Sequence, residues 1–132
     1  MVLSLCTALR SGARGMQPRI QHYDFGEMVV DDRVYRSDLV ILPSGRVVSD
    51  WWRLEGHRLQ LPDIRDFLGE DFDAVVIGTG YSGLMRVDQE VLEVLRSRAR
   101  EVHVYDTRRA VEVYNKLVSE GKRVLAMFHL TC

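Results

Sequence analysis

The stretch Asp73-Ala-Val-Val-Ile-Gly78-Thr79-Gly80-Tyr81-Ser82-Gly83 decides how this chain is interpreted. An apolar, β-branched run breaks into a loop with Gly-x-Gly-x-x-Gly spacing, and Asp88 then stands where a helix N-cap is expected. Glycines let a backbone turn tightly and approach a phosphate, whose charge is met by free N–H groups near a helix start. The stretch therefore predicts a buried strand that ends in a tight turn.

The residues after Asp73 alternate between strand and helix patterns. We predict strands at 74–77, 102–105 and 123–128, with helices at 89–99 and 108–120 between them, and Asp106 or Thr107 can cap the second helix. The strands at 74–77 and 102–105 are almost continuously apolar, which is typical of central parallel strands covered on both faces. Right-handed crossovers would place the 78–83 loop and the 106–109 turn side by side at the carboxyl edge of the sheet.

The earlier part of the chain has a different pattern. Between residues 20 and 52, short β-branched and aromatic runs are divided by Asp31-Asp32 and by Pro43-Ser44-Gly45, which are turn-forming sequences. We predict an antiparallel meander there, followed by a short helix between 59 and 68 with Pro62 in its first turn. The fold class is therefore α/β, with an antiparallel N-terminal part and a β-α-β-α-β C-terminal half.

Length and composition limit the organisation of the chain. With 132 residues and 46% hydrophobic content, one domain is expected at 20–132, preceded by a flexible extension at 1–19. A net charge of -1 argues against a nucleic-acid partner, and no apolar run reaches the roughly 18–20 residues of a membrane span. Cys6 and Cys132 argue against a disulfide framework of the small secreted type, so a cytoplasmic protein is expected, or a mitochondrial one if the extension is a transit segment.

The glycine loop has three interpretations that the sequence leaves open. It could bind a dinucleotide, since Asp106 follows at about the distance of a ribose-binding acid, although the helix begins well after Gly83. It could bind a smaller anion, or it could only supply a turn that needs positive φ. The ligand-binding candidates are Gly78, Thr79, Gly80, Ser82, Gly83, Asp106, Thr107 and Arg108.

The tryptophan pair and the histidines are the other candidates for an interaction surface, a metal site or a catalytic group. Asp50-Trp51-Trp52 is a candidate interaction patch if exposed, although at least one tryptophan is expected in the core. The histidines are scattered without metal-ligand spacing, and strand alternation would send His129 and Cys132 to opposite faces. We assign no catalytic residue, metal or cofactor, while Ser82 and Asp38 remain candidates to become neighbours on folding.

Several short motifs occur along the chain in a characteristic order. They are Tyr35-Arg-Ser37-Asp38, Trp51-Trp52, Gly78-Thr-Gly80 with Gly83, Thr107 to Ala110 with Tyr114-Asn115-x-Leu117, and Glu120-Gly121-x-x-Val124 through His129-Leu-Thr-Cys132. Through this ordered series, residues 20–132 resemble the small α/β family that includes mitochondrial respiratory complex I assembly factor 3 and the adipogenesis-associated domain proteins. This resemblance implies a three-layer domain with a mixed central sheet and an added β-hairpin layer, and no established catalytic residues.

Two functional hypotheses follow from the sequence. The favoured one is a non-catalytic binding or assembly module with a protein partner, in keeping with the resemblance and with the absence of an evident acid/base set. The alternative is a small-ligand (anion or nucleotide) binding protein or enzyme that uses the 78–83 loop. The sequence does not indicate an oligomeric state.

Overall fold

A computed structural model of the protein describes residues 17–132. Within this range the first strands are β1 Ile20–Asp24, β2 Glu27–Val30, β3 Arg33–Tyr35, β4 Leu39–Ile41, β5 Val47–Val48 and β6 Arg58–Leu59. They are followed by helix α1 Leu61–Ile64 and a 3-10 turn at Arg65–Phe67. The remaining elements are β7 Ala74–Thr79, β8 Arg86–Val87, α2 Gln89–Arg96, β9 Glu101–Tyr105, α3 Thr107–Ser119 and β10 Val124–His129.

The central sheet has five strands in the order β9-β7-β10-β4-β5. Strand β7 lies between β9 and β10 and is parallel to both, whereas β4 is antiparallel to β10 and β5 is antiparallel to β4. Every residue of β7 and β10 is buried, in agreement with their apolar sequences. Strand β9, also predicted to be covered on both faces, instead lies at the edge of the sheet and is only partly buried. The predicted α/β class and β-α-β-α-β half are confirmed.

Two cores cover the opposite faces of this sheet, which gives the predicted three layers. Ala74 and Val76 of β7 face a core shared with α3 and with the β1–β2 strands. Val75 and Ile77 face the other core, which α1 and α2 complete. The alternation follows from the two-residue period of a strand. Neither α1, α2 nor α3 is long and apolar enough to cross a membrane, within the 17–132 range searched.

The N-terminal strands divide between two sheets. Strands β1, β2 and β3 form the predicted antiparallel layer, and Asp31 and Asp32 make its two-residue turn with φ values of 50° and 66°. Strands β4 and β5, predicted as part of the same meander, instead pair with the central sheet through β10. The long-range pairing of β4 with β10 cannot be read from local turn signals, and it matters for the site described below.

The side chain of Gln17, the first described residue, is tied to distant parts of the chain. Gln17 is buried, its side-chain nitrogen donates to the carbonyl oxygens of Leu42 and Val124, and its side-chain oxygen accepts from the Val124 N–H. Of the predicted extension at 1–19, residues 1–16 lie outside the described residues.

The caps of α2 and α3 differ in a way the sequence did not show. Asp106 accepts a hydrogen bond from the Arg109 N–H at 3.1 Å and so caps α3 as predicted. Asp88 stands at the N-cap position of α2, but its carboxylate pairs with the Arg58 guanidinium at 2.9 and 3.0 Å and makes no capping hydrogen bond. The α2 helix also ends at Arg96, before the predicted residue 99.

Candidate functional site

The glycine loop and the start of α3 are neighbours, as the crossover argument predicted. The Gly80 N–H donates to the Thr107 hydroxyl at 2.8 Å, and the Thr107 N–H donates to the Gly80 carbonyl at 3.0 Å. The Thr107 hydroxyl in turn donates to the His129 carbonyl at 2.6 Å. The buried Thr107 thus joins the glycine loop, the start of α3 and the end of β10.

The loop is closed by the residues that follow β10. The Tyr81 N–H donates to the Thr131 carbonyl at 2.6 Å, and the Leu84 N–H donates to the Cys132 carbonyl at 3.0 Å. A Cβ on Gly80 would lie 2.7 Å from the Thr131 carbonyl oxygen and would also collide with the Cys132 backbone. The N–H groups of Gly80, Tyr81, Gly83 and Leu84 all donate within the protein, so the geometry supports the interpretation of a tight, packed turn.

The other loop candidates are spread over buried and exposed positions. Gly78 is buried, and a Cβ there would lie 2.8 Å from the Thr107 hydroxyl oxygen. Thr79 is buried and its hydroxyl donates to the Tyr105 carbonyl at 3.1 Å. Ser82, Gly83, Asp106 and Arg108 are exposed, and the Arg108 guanidinium lies 5.0 Å from the centre of the Tyr81 ring. Among these groups the structure shows packing and capping.

A cavity of about 540 Å³ lies elsewhere, near the end of β10. It is enclosed by the connection between β3 and β4, the 51–57 connection and the residues that follow β10. Its lining residues are Arg36, Ser37, Asp38, Trp51, Trp52, Arg53, Gly56, His57, His129, Leu130 and Thr131. We call it the Asp38–His129 cavity.

Three buried polar side chains form one side of this cavity. An oxygen of the Asp38 carboxylate, Oδ2, accepts from Arg53 Nη2 at 2.6 Å and lies 2.8 Å from His129 Nδ1. The other oxygen, Oδ1, accepts from the Leu130 N–H at 2.7 Å. The exposed fractions of the Arg53, His129 and Asp38 side chains are 4%, 6% and 14%. Such pairing is what allows charged groups to be buried.

The fold explains why these residues meet. In the antiparallel pair of β4 and β10, Leu39 lies opposite Phe128, so Asp38 and His129 are adjacent just beyond that pair. The Trp51 N–H donates to the Asp38 carbonyl at 3.0 Å, which draws the connection carrying Arg53 onto the same point. Arg53 also donates to the Gly56 carbonyl, and its guanidinium lies 4.8 Å from the centre of the Trp51 ring.

Asp38 is ionised in this arrangement. Burial by itself raises the pKa of the carboxyl group, but the hydrogen bonds from His129, Leu130 and Arg53 outweigh that effect and lower the pKa below its ordinary value. Because an ionised carboxylate carries no proton, the 2.8 Å contact with His129 requires the proton to be on Nδ1. We therefore assign Nδ1–H as the donor to Asp38, so Nε2 takes no part in that contact.

Two atoms of this cluster lack partners among residues 17–132. Arg53 Nη1 and His129 Nε2 are both buried, and neither makes a hydrogen bond. A buried polar group left without a partner costs about 1–3 kcal/mol, and native proteins contain few of them. The His57 ring, on an exposed residue, lies edge-on to the His129 ring with the ring centres 5.6 Å apart.

The arrangement has two chemical capacities. With Nε2 unprotonated, His129 is a base held in one orientation by Asp38; with Nε2 protonated, His129 and Arg53 are two donors for an anion. The hydroxyl groups that line the cavity belong to Ser37 and Thr131, and Ser37 Oγ accepts from the Asp50 N–H at 3.0 Å. Cys132 is exposed and does not line the cavity. Within 17–132, no group of three metal-ligating side chains is present.

The sequence hypotheses identified only part of this cluster. Trp51 is buried with 6% of its surface exposed, which confirms the expectation of one core tryptophan, while Trp52 is 84% exposed at the cavity. Asp50 is exposed with a φ of 54°. The sequence does not predict the pairing of Asp38 with His129, and no role for Arg53 follows from it. An arginine directly after two tryptophans was the available signal, since guanidinium groups stack on aromatic rings.

Comparison with known proteins places the chain in a family. Residues 20–129 match the family described as a protein of unknown function (DUF498/DUF598). The chain is similar to the conserved hypothetical protein PH1505 from Pyrococcus horikoshii OT3, with 29% identity over 86% of this chain and 99% of that chain and a TM-score of 0.74.

Two more distant structures share the fold alone. An outer membrane protein from Bartonella henselae is 24% identical over 89% of this chain and 98% of that chain, with a TM-score of 0.74. An Mth938-like domain from Bordetella pertussis is 20% identical over 86% of this chain and 85% of that chain, with a TM-score of 0.57. The mixed α/β architecture of this chain is therefore that of solved relatives, and the chain belongs to the DUF498/DUF598 family of proteins of unknown function.

Proposed function

We propose that this protein is a binding module whose ligand occupies the Asp38–His129 cavity. The observation that carries the proposal is the pair of unpartnered, buried atoms, Arg53 Nη1 and His129 Nε2, on side chains that line one cavity. A ligand that supplied their hydrogen bonds would remove a cost of about 1–3 kcal/mol at each atom. In the glycine loop, by contrast, the N–H groups of Gly80, Tyr81, Gly83 and Leu84 are used within the protein.

The cavity has the other properties expected of a binding site. Its volume of about 540 Å³ lies within the range of small-molecule pockets, roughly 300–1,000 Å³. Indole rings lie beside a few converging polar groups, a combination that gives both contact area and orientation. The hydrogen bonds within the Asp38, Arg53 and His129 cluster hold the polar groups in place before a ligand arrives.

A fragment panel read by two methods tests this proposal. The chain has two tryptophans, Trp51 and Trp52, and both line the cavity, so intrinsic fluorescence reports directly on its occupancy. Backbone amide shifts of the ¹⁵N-labelled protein would locate each binder. We expect binders to move the signals of Asp38, Arg53 and Leu130 together with the fluorescence. A panel of neutral, acidic and basic fragments that leaves those signals unchanged, or moves only those of residues 78–83, would contradict the proposal.

A second candidate function, assembly of protein complexes through a protein partner, is favoured by a separate observation. Trp52 and Leu54 are 84% and 70% exposed on one short connection at the rim of the cavity. Exposed large apolar side chains close together are typical of protein-binding surfaces. The resemblance to complex I assembly factor 3 also supports a role in assembly.

Paired variants test the assembly role. A Trp52→Ser/Leu54→Ser variant should lose a partner that co-purifies stoichiometrically with the unaltered protein. The matched control is Phe25→Ser/Leu84→Ser, whose side chains are 55% and 57% exposed and do not line the cavity. Loss of the partner in both variants, or in neither, would contradict docking at Trp52.

A third proposal concerns the cellular location of the protein. We propose a cytoplasmic protein, because two cysteines in 132 residues do not provide the disulfide framework common in small secreted domains. Fusion of a fluorescent protein to the full chain, followed by fractionation, measures the location. Recovery in a secreted or membrane fraction would contradict it.

A further inference from the structure

We propose that the ligand of the Asp38–His129 cavity is a small aromatic monocarboxylate. This inference rests on the proposed binding function and names the chemical class of its ligand. The carboxylate would accept hydrogen bonds from Arg53 Nη1 and from protonated His129 Nε2. The ring would pack beside the indole rings of Trp51 and Trp52.

The charges of the cluster favour a ligand with a single negative charge. Asp38 neutralises the Arg53 guanidinium at 2.6 Å, so the cluster is neutral when His129 is neutral and carries one positive charge when Nε2 is protonated. A monoanion matches that single charge. A phosphate dianion would bring a second charge into a cavity lined by aromatic side chains, where an uncompensated charge is costly.

The free hydrogen-bonding atoms also fit a carboxylate. The Arg53 Nε and Nη2 groups are taken by the Gly56 carbonyl and by Asp38, which leaves Nη1 as the unpartnered nitrogen of the fork. His129 Nδ1 is taken by Asp38, which leaves Nε2. Each of these two donors can make a charge-assisted hydrogen bond to a carboxylate oxygen.

The remainder of the lining is suited to a flat apolar group. Trp51, Trp52 and Leu130 supply apolar surface, and Trp52 is exposed enough to adjust to a ring. Offset stacking or edge-to-face packing on an indole stabilises a bound ring beyond the effect of the area buried. A single-ring acid fits well within about 540 Å³.

Entry of the carboxylate requires a small rearrangement. Arg53 Nη1 and His129 Nε2 have essentially no solvent contact, so a ligand reaches them only after a neighbouring side chain moves. The His57 ring, edge-on to His129, belongs to an exposed residue on the 51–57 connection and is the group whose rotation we expect. Binding should therefore shift the His57 side-chain NMR signals as well as the tryptophan fluorescence.

The test compares acids with their neutral amides on the unaltered protein. Phenylacetate and benzoate, with phenylacetamide and benzamide as controls, are titrated by calorimetry and tryptophan fluorescence, and phenyl phosphate serves as the dianion. We expect each acid to bind at least about tenfold more tightly than its amide, the difference expected for a hydrogen bond between charged groups. Equal affinity of acid and amide overturns the carboxylate class but leaves the cavity as a binding site, and tighter binding of phenyl phosphate overturns the monoanion. If none of these compounds binds, the inference fails, whereas the proposed function fails only if the whole fragment panel does.

Two arginine variants locate the anion. Arg53→Lys keeps a charge but loses the planar fork, and we expect at least about tenfold weaker binding of phenylacetate with little change for phenylacetamide. Arg108→Gln is the matched control, since Arg108 is exposed, lies 5.0 Å from the centre of the Tyr81 ring and does not line the cavity. Loss of acid binding in Arg108→Gln and not in Arg53→Lys overturns the assignment. If Arg53→Lys does not fold, the acid-to-amide comparison on the unaltered protein decides alone.

Discussion

Replacing Asp38 by asparagine should lower the stability of this protein more than most substitutions that keep the side-chain volume nearly unchanged. Asparagine keeps an oxygen for the Leu130 N–H, which Asp38 Oδ1 now accepts at 2.7 Å. It places an NH₂ group or a neutral oxygen where Oδ2 meets Arg53 Nη2 at 2.6 Å and His129 Nδ1 at 2.8 Å. The variant thus removes a charge without creating a cavity.

The expected loss follows from the burial of Arg53. Only 4% of its side chain is exposed, so without Asp38 the guanidinium charge stays buried without a counter-ion. Breaking a buried pair by removing one partner costs about 3–5 kcal/mol. With a urea slope of about 2 kcal/mol per molar, the midpoint should fall by about 2 M. The control is Glu27→Gln, which breaks an exposed pair with Arg36 and should cost less than about 1 kcal/mol.

A double-mutant cycle tests the reason for the loss. If the damage comes from the unpaired Arg53 charge, adding Arg53→Met to Asp38→Asn should cost much less than the sum of the single changes, with a coupling of about 1–3 kcal/mol. Urea unfolding followed by far-ultraviolet circular dichroism measures all four proteins. A loss at Asp38→Asn no larger than at Glu27→Gln, or strictly additive changes, would refute the reasoning.

Three further predictions concern acid stability and the packed glycine loop. The pKa of Asp38 in the folded protein is lowered from the ordinary value of 3.8, so Asp38 contributes stability that is present above pH 3.8 and is lost as the pH falls through the folded pKa. The unaltered protein should therefore lose stability more steeply with acid than Asp38→Asn. Parallel curves of urea-unfolding stability against pH would count against this. Gly80→Ala should cost about 1–3 kcal/mol more than Gly121→Ala. Both glycines have positive φ, but only at Gly80 would a Cβ collide with the Cys132 backbone. Equal thermal shifts of the two variants would argue against a sealed loop. Thr107→Val removes the hydroxyl that joins Gly80 to β10 and should cost about 1–3 kcal/mol in chemical denaturation, while an unchanged midpoint would show that this buried hydroxyl is not needed.

Prediction from the sequence succeeded where the signal was local. The apolar run at β7 and the helical spacing of α3 depend on residues within a few positions of one another. The same is true of the Asp106 cap and of the Asp31-Asp32 turn. The neighbourhood of the glycine loop and Thr107 was also predictable, because right-handed crossovers leave parallel strands little choice.

The candidate site was missed because its parts are far apart in the sequence. His129 and Asp38 are separated by 91 positions and meet only through the pairing of β4 with β10. The turn signals around β4 were equally consistent with a local meander, and they do not specify a partner on another sheet. Arg53 reaches the cluster from a connection without regular structure, for which sequence periodicity gives no information.

The sequence by itself determined the alternation of strands and helices after Asp73, because burial on one or both faces of each element requires a fixed spacing of apolar residues. Only the tertiary structure decided what the polar residues do. Thr131 and Cys132 fold over Gly80 and close the loop that a phosphate would have used. Asp38, Arg53 and His129 are brought together because three chain segments cross at the end of β10, and a buried charge cluster depends on such long-range contacts, which no local pattern encodes.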